Sequence, residues 1–279
     1  MRLIFLFVTM VLLAGCNQRV MKQPEYGMPE TQNAFAIGVI DTMYSASLVQ
    51  KRTLNIYLPE GYDADTASTY PVIYLLDGSA NEDFVHTVGV VQFQTMIGMM
   101  KPCIVVGIAN VDRKYDFTFP TNNVEDRKSI PRCGGSSSFM DFIEMELQPS
   151  IEKKYRTNQQ SILIGQSLGG LLATEILLKR PQMFTHYIIV SPSLWWDDES
   201  LLTNGAALIA KQDYSCKHIF ITVGNEDDQM EDEAKRLYEL LDDATGGGWS
   251  HSFYPMPEES HLTILHNALY KAFGQLLNH

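Results

Sequence analysis

The sequence predicts an α/β fold: a mostly parallel, doubly wound sheet of about eight strands flanked by helices. Three observations carry the prediction. Short apolar runs alternate with segments of helical period from residue 35 onward. The chain has 279 residues, 45% of them hydrophobic, enough for the core of one large domain. The run Ser161-Ile-Leu-Ile-Gly-Gln-Ser-Leu-Gly-Gly170 sets a serine between a buried strand and a helix.

In order along the chain, strands are expected over 36–49, 51–58, 71–76, 103–109, 161–166, 186–191, 217–223 and 251–256. The first two are alternating or β-branched and adjoin one another, which predicts an antiparallel pair. Later ones, such as Pro71-Val-Ile-Tyr-Leu-Leu76 and Cys103-Ile-Val-Val-Gly-Ile108, are uniformly apolar, as strands covered on both faces are. Phe139, Phe142, Ile143, Leu147 and Ile151 mark a helix that Pro149 should kink, because proline has no N–H to donate. Leu168, Leu171, Leu172 and Ile176 mark the helix after the serine, with Arg180-Pro181 as its stop. Ala234, Leu237 and Leu241 mark another, supported by Glu231–Lys235 and Asp232–Arg236 pairs one turn apart. Leu265, Leu269, Ala272, Phe273 and Leu276 mark the last. The loop at 110–135, with Asp116-Phe-Thr-Phe-Pro120 and Cys133-Gly-Gly135, is too long for a mere connection and is expected to shape a site. No internal repeat or low-complexity linker interrupts this pattern, so residues 35–279 are read as one domain.

The first residues belong to another purpose. Met1-Arg2 is a short positive segment and Leu3 to Leu13 an apolar one, too short to span a bilayer comfortably. Leu13-Ala-Gly-Cys16 then resembles a bacterial lipobox. Residues 1–16 are therefore read as a lipoprotein signal peptide whose lipid attachment residue is Cys16, and 17–34 as a tether. That resemblance implies several acyl chains on Cys16, as stable anchoring requires, and an extracytoplasmic protein held on a bacterial membrane, periplasmic or at the cell surface. Cys103, Cys133 and Cys216 remain, so at most one intramolecular disulfide can form, and whether Cys133 and Cys216 pair is open. No Cys-x-x-Cys or His-x-x-x-His spacing points to a metal. The formal charge of −12, without a Lys/Arg cluster, argues against nucleic acid as a partner. Oligomeric state is not legible.

Gly165-Gln-Ser-Leu-Gly169 fits a G-x-S-x-G nucleophile elbow, which sets a serine on a strained strand-to-helix turn. Bulky side chains at Gly165 or Gly169 are expected to clash where strand and helix cross. Ser167 is thus the candidate nucleophile. A serine needs a base, normally a histidine, which a carboxylate holds in one tautomer. On such a sheet the partners follow in the order Ser, acid, His, after strand C-termini. His261, in Pro257-Glu-Glu-Ser-His261 before the last helix, is the candidate base. His218 and His251 sit at strand starts, His266 lies inside the last helix, and His86 and His186 read as helix and strand-start residues. For the acid, Asp227 is chosen from Gly224-Asn-Glu-Asp-Asp228, with Glu226 and Asp228 beside it and Asp197, Asp198 and Glu199 as further candidates. The oxyanion needs two backbone N–H donors. Leu168, after the nucleophile, supplies one, and Ser79 in Leu76-Asp-Gly-Ser79 is nominated for the other. Trp195 and Trp196 either line the pocket, stacking on an aromatic acyl group or a sugar, or pack in the core and brace a loop.

Taken together, Tyr74-Leu-Leu-Asp-Gly78, Gly165-Gln-Ser-Leu-Gly-Gly170, Ser191-Pro-Ser-Leu-Trp-Trp196 and Ser260-His261 resemble the Putative esterase family of α/β hydrolases, with the siderophore-esterase-like branch nearest. The resemblance covers residues 35 to 276. It implies the α/β-hydrolase fold, Ser167 and His261 as nucleophile and base, and Asp227 by its place after the seventh strand. Asn110-Val-Asp-Arg113 followed by Asp116-Phe-Thr resembles a family segment near the active-site mouth, although Tyr115 stands where the family carries Arg. Arg113 is therefore a candidate substrate contact. The expectation is a serine esterase working through an acyl-enzyme, without metal or organic cofactor. Its small-molecule or oligosaccharide ester substrates would be siderophore lactones or polysaccharide-linked acyl esters. An acyltransferase to an alcohol and a non-catalytic binding lipoprotein are the alternatives.

Overall fold

The computed structural model describes residues 34–215, 217–244 and 249–276. Its strands are β1 (Val39–Ser45), β2 (Gln50–Tyr57), β3 (Tyr70–Leu75), β4 (Ile104–Ile108), β5 (Thr157–Gln166), β6 (His186–Val190), β7 (His218–Thr222) and β8 (Ser250–Phe253). They form one sheet in the order β1-β2-β4-β3-β5-β6-β7-β8. The expected antiparallel pair is β1 with β2, and β2 also runs antiparallel to β4. From β3 onward the strands are mutually parallel. This is the α/β-hydrolase architecture. The exchange of β3 and β4 makes β3 the neighbour of β5, so the Leu76-Asp-Gly-Ser79 loop and the Ser167 turn leave the same sheet edge side by side.

The helices are α1 (Phe84–Met96), α2 (Arg113–Phe117), α3 (Val124–Ser129), α4 (Ser136–Phe142), α5 (Gln148–Lys154), α6 (Leu168–Lys179), α7 (Trp196–Thr203), α8 (Gly205–Ile209), α9 (Asp228–Asp243) and α10 (Ile264–Leu276). Strand period sorts the side chains of the sheet to its two faces. Val72, Tyr74 and Leu163 pack with Leu171, Leu172 and Leu237, while Ile73, Leu75, Ile162 and Ile164 pack with Val88 and Leu269. All are buried, and each such side chain contributes on the order of 1.5–3 kcal/mol relative to exposure.

Two expectations about helices are refined. The helix around Pro149 is interrupted: between α4 and α5 the chain widens into a π-turn, Ile143–Leu147, which closes where Gln148 N–H meets the Ile143 carbonyl. A proline at the start of α5 withholds a donor, and the wider turn absorbs the missing bond. On α9, Asp232–Arg236 forms at 3.5 Å, but Lys235 pairs with Glu239 at 3.2 Å. Glu231 instead receives the backbone N–H of Glu226 at 2.9 Å. The 110–135 loop carries α2 and α3. Residues from Ala36 onward belong to one unit. The signal peptide, nearly all of the tether, Cys16 and Cys216 lie outside the described residues, and with Cys216 the question of its pairing.

Candidate active site

Ser167 occupies the turn between β5 and α6 with φ 59° and ψ −121°, a conformation that costs energy for any residue with a Cβ. Neighbouring glycines permit it. A Cβ on Gly165 would sit 2.2 Å from the Gly169 carbonyl oxygen, so strand and helix could not cross there. Gly169 differs from expectation: a methyl group would meet Asp77 Oδ2 and the Leu76 side chain at ordinary contact, 3.4–3.6 Å. The second tight glycine is Gly170, whose Cβ would lie 2.9 Å from Pro192 Cα. Asp77 and Ser191, at the ends of β3 and β6, also have positive φ, 53° and 42°. Three strand ends are thus strained around one point, as at many functional sites.

His261 stands in the loop before α10. Its Nδ1 lies 2.7 Å from Oε2 of Glu226, whose side chain is only 4% exposed. A carboxylate can only accept, so Nδ1 carries the proton and Nε2 is left as the basic nitrogen. The Ser191 hydroxyl donates to the other Glu226 oxygen. Burial acts to raise the pKa of Glu226, but the bonds from His261 and Ser191 and the charge of His261 outweigh it, so the carboxyl sits below the usual glutamate value. The side-chain amide of Gln166, next to the nucleophile, donates to the His261 carbonyl and ties the histidine loop to the elbow.

Asp227, the acid expected from the sequence, is not at the histidine. It is the N-cap of α9, where its Oδ1 accepts the Met230 N–H at 2.8 Å. Its extended backbone (φ −78°, ψ 155°) sends adjacent side chains to opposite sides, so capping by Asp227 turns Glu226 toward His261. Asp197, Asp198 and Glu199 are engaged elsewhere. A cap signal before a clear helical period was present in the sequence and would have identified Asp227 as spoken for.

Ser167 and His261 line one cavity of about 400 Å³ with Gln166, Arg113, Asp77, Glu82 and Asp83. Arg113 is at the mouth as expected, with its side chain 33% exposed. Its Nε and Nη2 bond both oxygens of Asp77 at 2.6 and 2.8 Å, and Nη2 approaches the Gln166 carbonyl at 3.4 Å. This clamp holds the loop after β3 against the elbow. Gly78 lies so close to β4 that a Cβ there would be 2.3 Å from Gly107 Cα, a constraint between two distant glycines. The Ser79 N–H points to Glu82 Oε2 at 3.3 Å, and its hydroxyl accepts the Asn110 N–H at 3.3 Å. Leu168 opens α6, where first-turn N–H groups have no helical acceptor.

The two tryptophans separate. Trp196 is wholly buried and donates from Nε1 to the Phe119 carbonyl at 2.9 Å, so it is a core residue and not a pocket wall. Trp195 is half-buried and lines a different depression, with Asn123, Asp126, Asp198, Glu199 and Gln229. Residues missed by the sequence reading as neighbours of the nucleophile include Ser193, whose Oγ lies 3.4 Å from Ser167 Oγ and whose N–H bonds the Ser167 carbonyl at 3.1 Å.

A serine on a strand–helix elbow, facing a cleft it shares with a carboxylate-held histidine, defines a serine hydrolase of the α/β type. The chain belongs to the Putative esterase family, whose model matches residues 45–254. It is therefore a carboxylic ester hydrolase. It is similar to the ferri-bacillibactin esterase BesA of Bacillus subtilis (strain 168), with 31% identity over 258 residues, 84% of this chain and 88% of that protein. Among solved structures, an IroE-like serine hydrolase from Shewanella oneidensis superposes with a TM-score of 0.78 at 30% identity, covering 86% of this chain and 80% of the other. The BES protein from Bacillus cereus superposes with a TM-score of 0.78 at 29% identity, covering 90% and 99%.

Proposed function

We propose that the enzyme cleaves ester bonds of siderophore lactones through an acyl-enzyme, with Ser167 as nucleophile, His261 as base and Glu226 as the acid that orients it. The observation that carries the catalytic reading is the 2.7 Å contact between His261 Nδ1 and Glu226 beside a serine at φ 59°. The substrate class rests on the likeness to the ferri-bacillibactin esterase over most of both chains. In the first step His261 Nε2 takes the Ser167 proton as Oγ attacks the ester carbonyl. The oxyanion is received by the Leu168 N–H at the start of α6, whereas the Ser79 N–H expected beside it is held by Glu82 Oε2 at 3.3 Å. The C–O bond to the alcohol then breaks, and the imidazolium returns the proton to the leaving oxygen. Water, deprotonated by the same nitrogen, releases the acid and restores Ser167.

Ser167→Ala tests this directly. The variant should lose at least about a thousandfold in kcat toward 4-nitrophenyl butyrate and a macrocyclic trilactone, with its thermal midpoint nearly unchanged. Equal activity in variant and parent would remove Ser167 from the mechanism. Hydrolysis of the simple ester with an untouched trilactone would move the substrate to another ester class. We also propose that the enzyme is a lipoprotein held on a membrane outside the cytoplasm through Cys16, a reading supported by Met1-Arg2, the apolar segment Leu3 to Leu13 and Leu13-Ala-Gly-Cys16.

A further inference from the structure

We propose that the cleft selects esters that are neutral or cationic around the scissile bond and turns away anionic ones, with Glu82 and Asp83 setting the preference. The inference rests on the esterase reading above and narrows its substrate class. Among the described residues lining the cleft, Asp77, Glu82 and Asp83 face a lone cation, Arg113. Both Asp77 oxygens hold that cation at 2.6 and 2.8 Å, and its single charge also acts on Glu82 and Asp83, so three carboxylates outnumber it. The donors on Glu82 are uncharged: Asn110 Nδ2 lies 3.1 Å from each of its oxygens, and the Ser79 N–H lies 3.3 Å away. These bonds compensate dipoles without cancelling the charge. Burial acts to raise the Glu82 pKa, yet the bonds from Ser79 and Asn110 and the charge of Arg113 outweigh it and hold the carboxyl below the ordinary value, so it is ionised at neutral pH. Asp83 Oδ1 lies 3.1 Å from His86 Nε2.

The position of Glu82 sharpens the effect. Its carboxylate lines the cleft with Ser167 and His261 and is held there by the Ser79 N–H, so an anionic group on the acyl side would approach a fixed negative charge as the ester seats. The chain at large has the same sign, with a net charge of −12, and a field of one sign over a concave site alters ligand encounter as well as binding. One such charge several ångströms away in partly hydrated surroundings changes kcat/KM by about tenfold.

Three 4-nitrophenyl esters matched in length test the proposal: butyrate, the succinate half-ester and 4-(trimethylammonio)butyrate. Their kcat/KM values are measured at about 10 mM and about 1 M salt, where screening lengths are roughly 30 and 3 Å. At low salt the succinate ester should fall about tenfold or more below the butyrate, and the cationic ester should equal or exceed it. The gap should close at high salt, and in Glu82→Gln/Asp83→Asn at low salt. Ratios are taken within each protein, so a general loss of activity does not mimic the result. If the double variant fails to fold, Asp83→Asn alone and the salt series of the parent carry the comparison. Equal rates for succinate and butyrate esters at low salt overturn the charge preference, as does a gap that survives both salt and the variants. Failure of the esterase reading is a separate outcome, in which Ser167→Ala still hydrolyses the neutral butyrate.

Discussion

Glu226 and Asp227 differ by one position and one methylene, and that difference decides which carboxylate serves His261. Asp227 spends its side chain on the Met230 N–H, while Glu226 reaches the imidazole and is itself held by Ser191. Removing charge from each separates the roles. Glu226→Gln should lower kcat by about 10²–10⁴, because an amide can present the wrong partner to Nδ1 and destabilises the imidazolium. Asp227→Asn should leave kcat within about twofold, since asparagine caps a helix as well as aspartate does. The opposite order would return the acid to Asp227. Ser167 and His261 were legible because a strained elbow and a late loop histidine each leave a local sequence pattern. Glu226 was not, because three acids stand in a row, and the helix-cap signal at Asp227 removes one of them without saying which neighbour the backbone turns toward His261.

At the scale of elements, α9 and the turn opposite it hold the other consequence. Asp197, Asp198 and Glu199 adopt three successive left-handed conformations, φ 52–57°, costly for residues with a Cβ. Each is tied down: the Asp197 N–H by Asp126 at 2.7 Å, Asp198 by Asn123 at 2.6 Å and Glu199 by Arg236 at 2.6 Å. No glycine announces this turn, and its ties are long-range, so a local reading took these acids for catalytic candidates. Below it Glu233 is fully buried on α9, with Oε1 accepting from Gln229 at 2.8 Å and Oε2 without a hydrogen-bond partner among the described residues. Burial, reinforced by Glu199 and Asp227, pushes its pKa up to about 7 against the bond from Gln229. The folded protein thus keeps a proton that the unfolded chain loses above its ordinary value of 4.5. Stability from this group is present in acid and is lost as pH rises toward 7, by at most about 3 kcal/mol. Glu233→Gln, neutral throughout, should raise the thermal midpoint by several degrees at pH 8 and by much less at pH 5. A shift of equal size at both pH values would exclude the titration of Glu233 as its cause.

For the whole molecule, the eight strands and their mainly parallel course follow from apolar runs of strand length, whereas the exchange of β3 and β4 leaves no local trace. It depends on contacts such as Gly78 against Gly107, 29 residues apart in the sequence, which no periodicity reports. Charge and anchoring meet at this scale. With a net charge of −12 the chain gains nothing from anionic lipid headgroups, and among the described residues no helix is long and apolar enough to cross a membrane. The lipid anchor proposed on Cys16 would need more than one acyl chain, because one chain alone binds only marginally. Cells expressing the full chain and fed an alkynyl fatty acid should label the parent and not Cys16→Ala. The parent should remain in the membrane fraction at high salt, because an acyl anchor is not screened. Cys16→Ala should keep its kcat/KM toward 4-nitrophenyl butyrate, since the catalytic residues all lie beyond Ala36. Label persisting in Cys16→Ala, or a parent released by salt, would rule out the lipid anchor while leaving the esterase intact.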